Sequence, residues 1–152
     1  MDMNGQERIE APIDVVWKAL NDPQVLKGCI PGCESLEKQS DTQMTATVML
    51  KIGPIKARFE GQVELGNLNP PRSYTISGEG KGGIAGFAKG SADVALAEDG
   101  SGATLLSYTV RADVGGKIAQ LGARLIDSTA RKLAQQFFTN LGSQLAQQAV
   151  SA

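Results

Sequence analysis

Between residues 42 and 66 the chain alternates apolar and polar side chains almost without interruption, and this run constrains the fold more than any other segment. In TQMTATVMLKIG, Met44, Ala46, Val48, Leu50 and Ile52 share one face. In IKARFEGQVELG the same role falls to Ile55, Ala57, Phe59, Gly61, Val63 and Leu65, against Lys56, Arg58, Glu60, Gln62 and Glu64. Successive side chains of a strand point to opposite faces, so the pattern predicts two long strands, 42–53 and 55–66, each half buried and half wet. Gly53-Pro54 joins them. The apolar face needs a cover, and residues 117–149 read as one. Ile118, Leu121, Leu125, Thr129, Leu133, Phe137, Leu141 and Leu145 form a broad stripe along a single amphipathic helix roughly 50 Å long. A one-faced sheet closed by one helix leaves room for a cavity between them.

The rest of the chain completes that sheet. A first strand is expected at 3–10, ending before Ala11-Pro12. Pro12 suits the first turn of a helix, and IDVVWKAL places Ile13, Val16, Trp17 and Leu20 on one side of it. Asn21-Asp22-Pro23 stops this helix, and a short second one follows at 23–28. Further strands are expected at 33–40, 72–81, 86–98 and 103–114. Their in-phase residues include Tyr74 and Ile76, then Ala92, Val94 and Leu96, then Leu106, Tyr108 and Val110. Asp99-Gly100-Ser101-Gly102 is a strong turn. The predicted architecture is α+β: seven antiparallel strands, two short helices after the first strand and a long C-terminal helix, in one domain over residues 1–152.

Composition narrows function chiefly by what is missing. The chain has no histidine, so Ser-His and Cys-His nucleophile systems are unavailable. Carboxylates such as Glu60 and Glu64 fall on the outward phase of their strands. Glu7 and Asp113 are the acidic residues worth checking for a catalytic role. A net charge of −1 argues against nucleic acid as a partner. No apolar run is long enough to cross a bilayer as a helix. The opening MDMNGQERIE has no basic region or apolar core, so a cytoplasmic protein is the default. Aromatic residues make up 5% and glycines number 18, which favours a roomy interior of small and aliphatic side chains. Cys29 and Cys33 read as two small thiols in a reducing compartment, since no second cysteine pair and no histidine could complete a metal site.

GEGKGG at 78–83 fits the spacing of a dinucleotide fingerprint, but a strand follows it where that motif needs a helix. A steric account is better. Gly78, Gly80, Gly86 and Gly90 are expected on the inward face of paired strands, where missing side chains either let the sheet bend or clear space for a ligand. Ile84 and Phe87 flank the hairpin tip, as core residues of a closing sheet or as an exposed apolar tip. Trp17 is expected to be structural, and Met44 and Met49 to be adaptable fillers.

Longer blocks resemble a known family. ERIEAPIDVVWKALNDPQVLKGCIPGCESLE, KIGPIKARFEGQVEL, GEGKGGIAGFAKGSADVAL and VGGKIAQLGARLIDSTARKLAQQFF are similar to successive blocks of the CoxG-like family, named for the G subunit of carbon monoxide dehydrogenase. The resemblance implies the START-like, or SRPBCC, helix-grip fold around a hydrophobic cavity. It implies a non-catalytic accessory of a molybdenum-containing carbon monoxide dehydrogenase or related hydroxylase. Such an accessory would bind a menaquinone or ubiquinone, or another lipid, and link the enzyme to the membrane. Longer members carry an apolar segment after the last helix, whereas this sequence reads SQLAQQAVSA to Ala152. That departure speaks against stable membrane attachment, and a peripheral contact at the cytoplasmic face is the form expected. A homodimer is compatible with the sequence.

No covalent cofactor and no metal is expected. The cavity lining is expected to draw on Trp17, Leu26, Cys29 and Ile30 from the helical segment and its exit, with Val48, Leu50, Phe59 and Val63 from the long hairpin. Tyr74, Ile76, Gly78, Gly80 and Tyr108 would come from the later strands, and Leu121, Leu125 and Phe137 from the C-terminal helix. Tyr74 and Tyr108 would offer hydroxyls to a quinone carbonyl. The mouth is expected at Ile30-Pro31-Gly32 and the 81–88 hairpin. Lys81, Ile84, Phe87 and Lys89, with Arg124 and Arg131, are the candidates for docking on a partner or membrane. Two other readings remain: an adaptor with an empty, structural cavity, and an enzyme such as a cyclase.

Overall fold

A computed structural model describes residues 1–151, with the side chains of residues 1–148. Seven strands form one antiparallel sheet: β1 (Asp2–Ile9), β2 (Cys33–Lys38), β3 (Gln43–Ile52), β4 (Ile55–Asn69), β5 (Ser73–Lys81), β6 (Phe87–Glu98) and β7 (Thr104–Gly115). Their order across the sheet is β1-β7-β6-β5-β4-β3-β2. From β2 to β7 each strand pairs with the next in sequence, and β1 closes the far side against β7. Helices α1 (Ile13–Leu20) and α2 (Pro23–Cys29) follow β1, and α3 (Ala123–Ser151) ends the described chain.

The register confirms the period-two reading residue by residue. Met44 lies opposite Val63, Val48 opposite Phe59, and Leu50 opposite Ala57. The same face continues through Val63 to Gly78, then Gly78 to Gly90, and Gly90 to Ala112. Cross-strand partners share a face, so one unbroken apolar surface runs across all the central strands.

α1 is short but strongly one-sided, with Ile13, Val16, Ala19 and Leu20 buried. Pro12 is its N-cap, in extended conformation, rather than a residue of its first turn. Asp22 caps α2 by accepting from the Gln24 backbone N–H at 2.9 Å. The last carbonyls of α2 would be orphans; α3 satisfies that of Cys29 and also reaches the Val25 carbonyl one turn earlier. Asn140 Nδ2 donates to the Cys29 carbonyl at 3.0 Å, and Gln144 Nε2 donates to that of Val25 at 3.1 Å. α2 and the Ile30-Pro31-Gly32 exit are thus fixed against α3.

The sequence expectation of one continuous helix over 117–149 is corrected at its start. Lys117–Leu121 is a 3-10 turn, and α3 begins only at Ala123. Gly116 and Gly122 flank that turn with φ of 80° and 94°, backbone that side chains disfavour, so the helix cannot run through them. Gly86 is also corrected. It is not a strand residue but closes a short turn at Gly83–Ala85, with φ 115°. A Cβ there would collide with the Gly115 carbonyl oxygen, so the β5–β6 and β7 ends meet backbone to backbone.

Candidate hydrophobic ligand site

α3 packs most closely on α2, and its backbone comes nearest the sheet at β1 and β3. The apolar face of the central strands is left partly uncovered, and an apolar groove lies beneath the helix. It has two lobes. The outer lobe, about 440 Å³, runs along β3, β4 and the ends of β5 and β6 toward the Gly53-Pro54 turn. The inner lobe, about 310 Å³, lies under α1 and α2, on the Tyr74, Val94 and Leu106 side of the sheet. Ile30, Val63, Ala134 and Phe137 line both.

Twelve of the expected lining residues do line these lobes. Val48, Leu50, Phe59, Gly78 and Gly80 face the outer one. Leu26, Tyr74, Ile76 and Tyr108 face the inner one, and Ile30, Val63 and Phe137 are common to both. A Cβ added at Gly80 would meet only the Phe59 Cβ, at 3.8 Å, so space lies in front of it. Gly90, by contrast, abuts β7: a Cβ there would lie 2.5 Å from the Arg111 carbonyl oxygen. Gly80 thus faces open space, whereas the bare backbone of Gly90 lets β6 and β7 approach closely.

Four expected residues lie outside the lobes. Trp17 sits one layer behind, its ring edge-on to Tyr74 at 5.4 Å. Cys29 is fully buried between α2 and α3, its Sγ accepting from Gln144 Nε2 at 3.4 Å. Leu121 and Leu125 reach the β3–β4 turn instead, beside Gly53. The break at Gly122 resets the helical phase, and a stripe counted as one helix misassigns both. Ile118, on the expected stripe but not among the expected lining residues, is buried and lines the outer lobe. Ala46, Ala88, Ala92 and Ala134 also line the groove. The three strand alanines were in phase in the sequence but carry no side chain large enough to draw attention.

Burial sets the chemistry of the inner lobe. Desolvation pushes the Tyr74 hydroxyl up to about 12, so it remains a protonated donor at neutral pH. The Tyr108 hydroxyl leans over Gly5 of β1, where a Cβ would come within 2.5 Å of it. Its ring stacks on Phe138 with centroids 5.5 Å apart. Burial likewise pushes the Cys29 thiol up to about 11, and neither cysteine is in a disulfide. Glu7 is half-buried and Asp113 exposed, and neither lines a lobe. Among the described residues no cluster of three or more His, Cys, Asp or Glu could hold a metal ion. Among the described residues no helix is long and apolar enough to cross a membrane. A larger hollow of about 520 Å³ lies on the outward face, among Glu37, Thr47, Glu60 and Lys81. It is wet sheet surface, where Glu60 and Lys81 are direct cross-strand neighbours.

The docking candidates are all exposed. Ile84 at the β5–β6 tip is 87% exposed and Phe87 43%, which decides for an apolar tip over a closing core. Lys81, Lys89, Arg124 and Arg131 are exposed too. Sequence reasoning missed Lys51, Lys56 and Lys117, which the turns bring to this same end of the molecule.

Among solved structures, a conserved protein from Geobacillus kaustophilus is 31% identical, with a TM-score of 0.91 over 97% of this chain and 96% of that one. Two more distant structures show the fold alone. A START superfamily protein from Mycobacterium smegmatis is 12% identical (TM-score 0.72; 96% of this chain, 97% of that one). The Zhui aromatase/cyclase from a Streptomyces species is 11% identical (TM-score 0.72; 98% and 95%). The architecture is thus the START-like helix-grip fold. No curated protein matches the chain. The sequence model for CoxG, the G subunit of carbon monoxide dehydrogenase, matches residues 5–146. By that match this chain belongs to the carbon monoxide dehydrogenase CoxG family.

Proposed function

We propose that this chain is a non-catalytic accessory that carries a hydrophobic ligand, a prenylated quinone, for a molybdenum-containing carbon monoxide dehydrogenase or related hydroxylase. The observation that carries the reading is the two-lobed apolar groove beneath α3, which has no charged side-chain cluster and is lined at one end by Tyr74 and Tyr108. Removing apolar area from water contributes about 25 cal/mol per Å². A ligand burying a few hundred Å² thus gains several kcal/mol, part of which offsets the cost of association, and the binding suits reversible delivery. The protonated Tyr74 hydroxyl suits a carbonyl acceptor. The enzyme and quinone in this reading come from the family, and the groove supports the ligand class.

A reconstituted assay tests the carrier role. Dehydrogenase, substrate and menaquinone-bearing vesicles are combined, and quinone reduction is followed as this chain is added. The rate should climb with the chain and saturate. A rate indifferent to the chain refutes delivery.

A second role is favoured by one further observation, the exposed Ile84-Phe87 tip at a lysine-bearing end. We read it as a peripheral contact with an anionic lipid surface, where an apolar tip inserts and cations meet head groups. Co-sedimentation with phosphatidylglycerol vesicles should be lost in Ile84→Asp and weak on neutral vesicles. Equal binding to both, or binding unaffected by Ile84→Asp, rules this out. Strong capture by the dehydrogenase alone, with no ligand and no lipid, favours the adaptor reading.

A further inference from the structure

The groove is divided, and its two halves differ in chemistry. The inner lobe carries an aromatic cluster within an aliphatic wall. Tyr108 stacks on Phe138 with an interplanar angle of 23°, and Phe137 meets Phe138 edge-on at 5.2 Å. Tyr74 and Tyr108 are the lining residues that carry a hydroxyl. The outer lobe is mainly aliphatic, with Val48, Leu50, Ile52 and Leu133 along a trough that also carries Phe59, Gln62 and Glu79 and opens in front of the bare backbone of Gly80. Between them stands the waist of Ile30, Val63, Ala134 and Phe137. Aromatic side chains prefer offset stacking on flat rings, and phenol hydroxyls donate to ring carbonyls. A flexible aliphatic chain matches the trough and has no polar demand to meet there. Each lobe alone is at the small end of ligand pockets, about 300–1,000 Å³, so a ligand filling both is a single molecule of two parts.

We infer that the site selects a flat, acceptor-bearing ring joined to one aliphatic chain, and binds it ring-first: the ring in the inner lobe against Tyr74, Tyr108 and Phe138, the chain through the waist into the outer lobe. The inference rests on the carrier reading and adds the ligand's orientation and the residues that divide it. It also places the chain's free end toward the Ile84 tip, because the outer lobe runs to that end of the sheet.

Trp17 supplies the readout. It is the sole tryptophan and lies against Tyr74 of the inner lobe, so a quinone ring bound there quenches it. The full chain is titrated with menadione, which is the ring alone, and with menaquinone-4, which adds a four-isoprene chain. Two variants fill the lobes separately, Gly80→Leu the outer and Ala92→Leu the inner; circular dichroism and thermal unfolding check that both fold. Both probes should quench Trp17 in the wild type. Gly80→Leu should weaken menaquinone-4 at least about tenfold while menadione stays within about twofold, and Ala92→Leu should weaken both at least about tenfold. The orientation is overturned if menaquinone-4 binds without quenching Trp17, if Gly80→Leu weakens both probes alike, or if Ala92→Leu leaves menadione unchanged. Wild type that binds neither probe refutes the carrier reading itself, and the orientation with it.

Discussion

Replacing Gly80 by tryptophan should make the protein more stable and less functional at once. Gly80 lines the outer lobe, and a Cβ built on it meets only the Phe59 Cβ at 3.8 Å. A tryptophan there has an empty apolar lobe of about 440 Å³ to enter. Its ring would bury on the order of 200 Å². At about 25 cal/mol per Å², that is a gross gain near 5 kcal/mol. Imperfect fit and lost rotamer freedom reduce the net to about 1–2 kcal/mol, the usual yield of filling a cavity. For a domain of this size each kcal/mol moves Tm by about 2–4 °C, so the variant should melt roughly 2–8 °C higher. The same ring occupies the space a ligand's chain needs, and affinity for menaquinone-4 should fall at least about 100-fold. Differential scanning fluorimetry and a quinone titration measure the two quantities on one sample. A variant that melts lower and binds as before would refute the placement of the lobe.

The remaining predictions concern the frame around the groove. Leu141→Ala removes a fully buried α3 side chain from the main core and should cost about 2–5 kcal/mol in urea unfolding; a loss under about 1 kcal/mol would mean that α3 does not grip the core there. Gly86→Ala should cost at least about 1–2 kcal/mol from backbone handedness alone, with the clash against Gly115 on top, and a neutral result would contradict the turn. Burial raises the Cys29 thiol from 9.0 to about 11 and the Tyr74 hydroxyl from 10.0 to about 12. The folded state therefore holds these protons more tightly than the unfolded state, so their contribution to stability should be flat below pH 9 and fall between pH 9 and 12. A melting temperature that rises over that range would reverse the sign. Native Cys29 should resist iodoacetamide at pH 8 and label only in denaturant, whereas equal labelling of Cys29 and half-buried Cys33 would show that α2 opens readily.

Much of this was legible in the sequence because period-two alternation is a strong signal when strands are long. All seven strands appear near their expected limits, and Met44-Val63 or Gly78-Gly90 pair as a shared inward phase requires. The failures sit where a glycine interrupts a pattern. Gly122 separates Leu121 from Leu125 by a change of backbone handedness, and apolar spacing alone carries no trace of it. Gly86 looked like one more inward glycine but is a turn residue fixed by contact with Gly115, more than twenty positions away in the chain. Trp17 was expected to be structural and also counted as lining, and its ring lies against Tyr74 outside the lobes; only packing distinguishes a ring that faces the cavity from one that backs the ring that does. The lysine-bearing end was half visible. Arg124 and Arg131 stand on one helix, whereas Lys51, Lys56 and Lys117 come from other turns that only the topology gathers there.

The central claim is that the groove beneath α3 holds a prenylated quinone. The most direct measurement is organic extraction of the purified protein followed by mass spectrometry. The account predicts a prenylquinone at near one per chain in the wild type and its absence from Gly80→Trp. A wild-type protein that yields none, and takes up none when incubated with menaquinone, would contradict it.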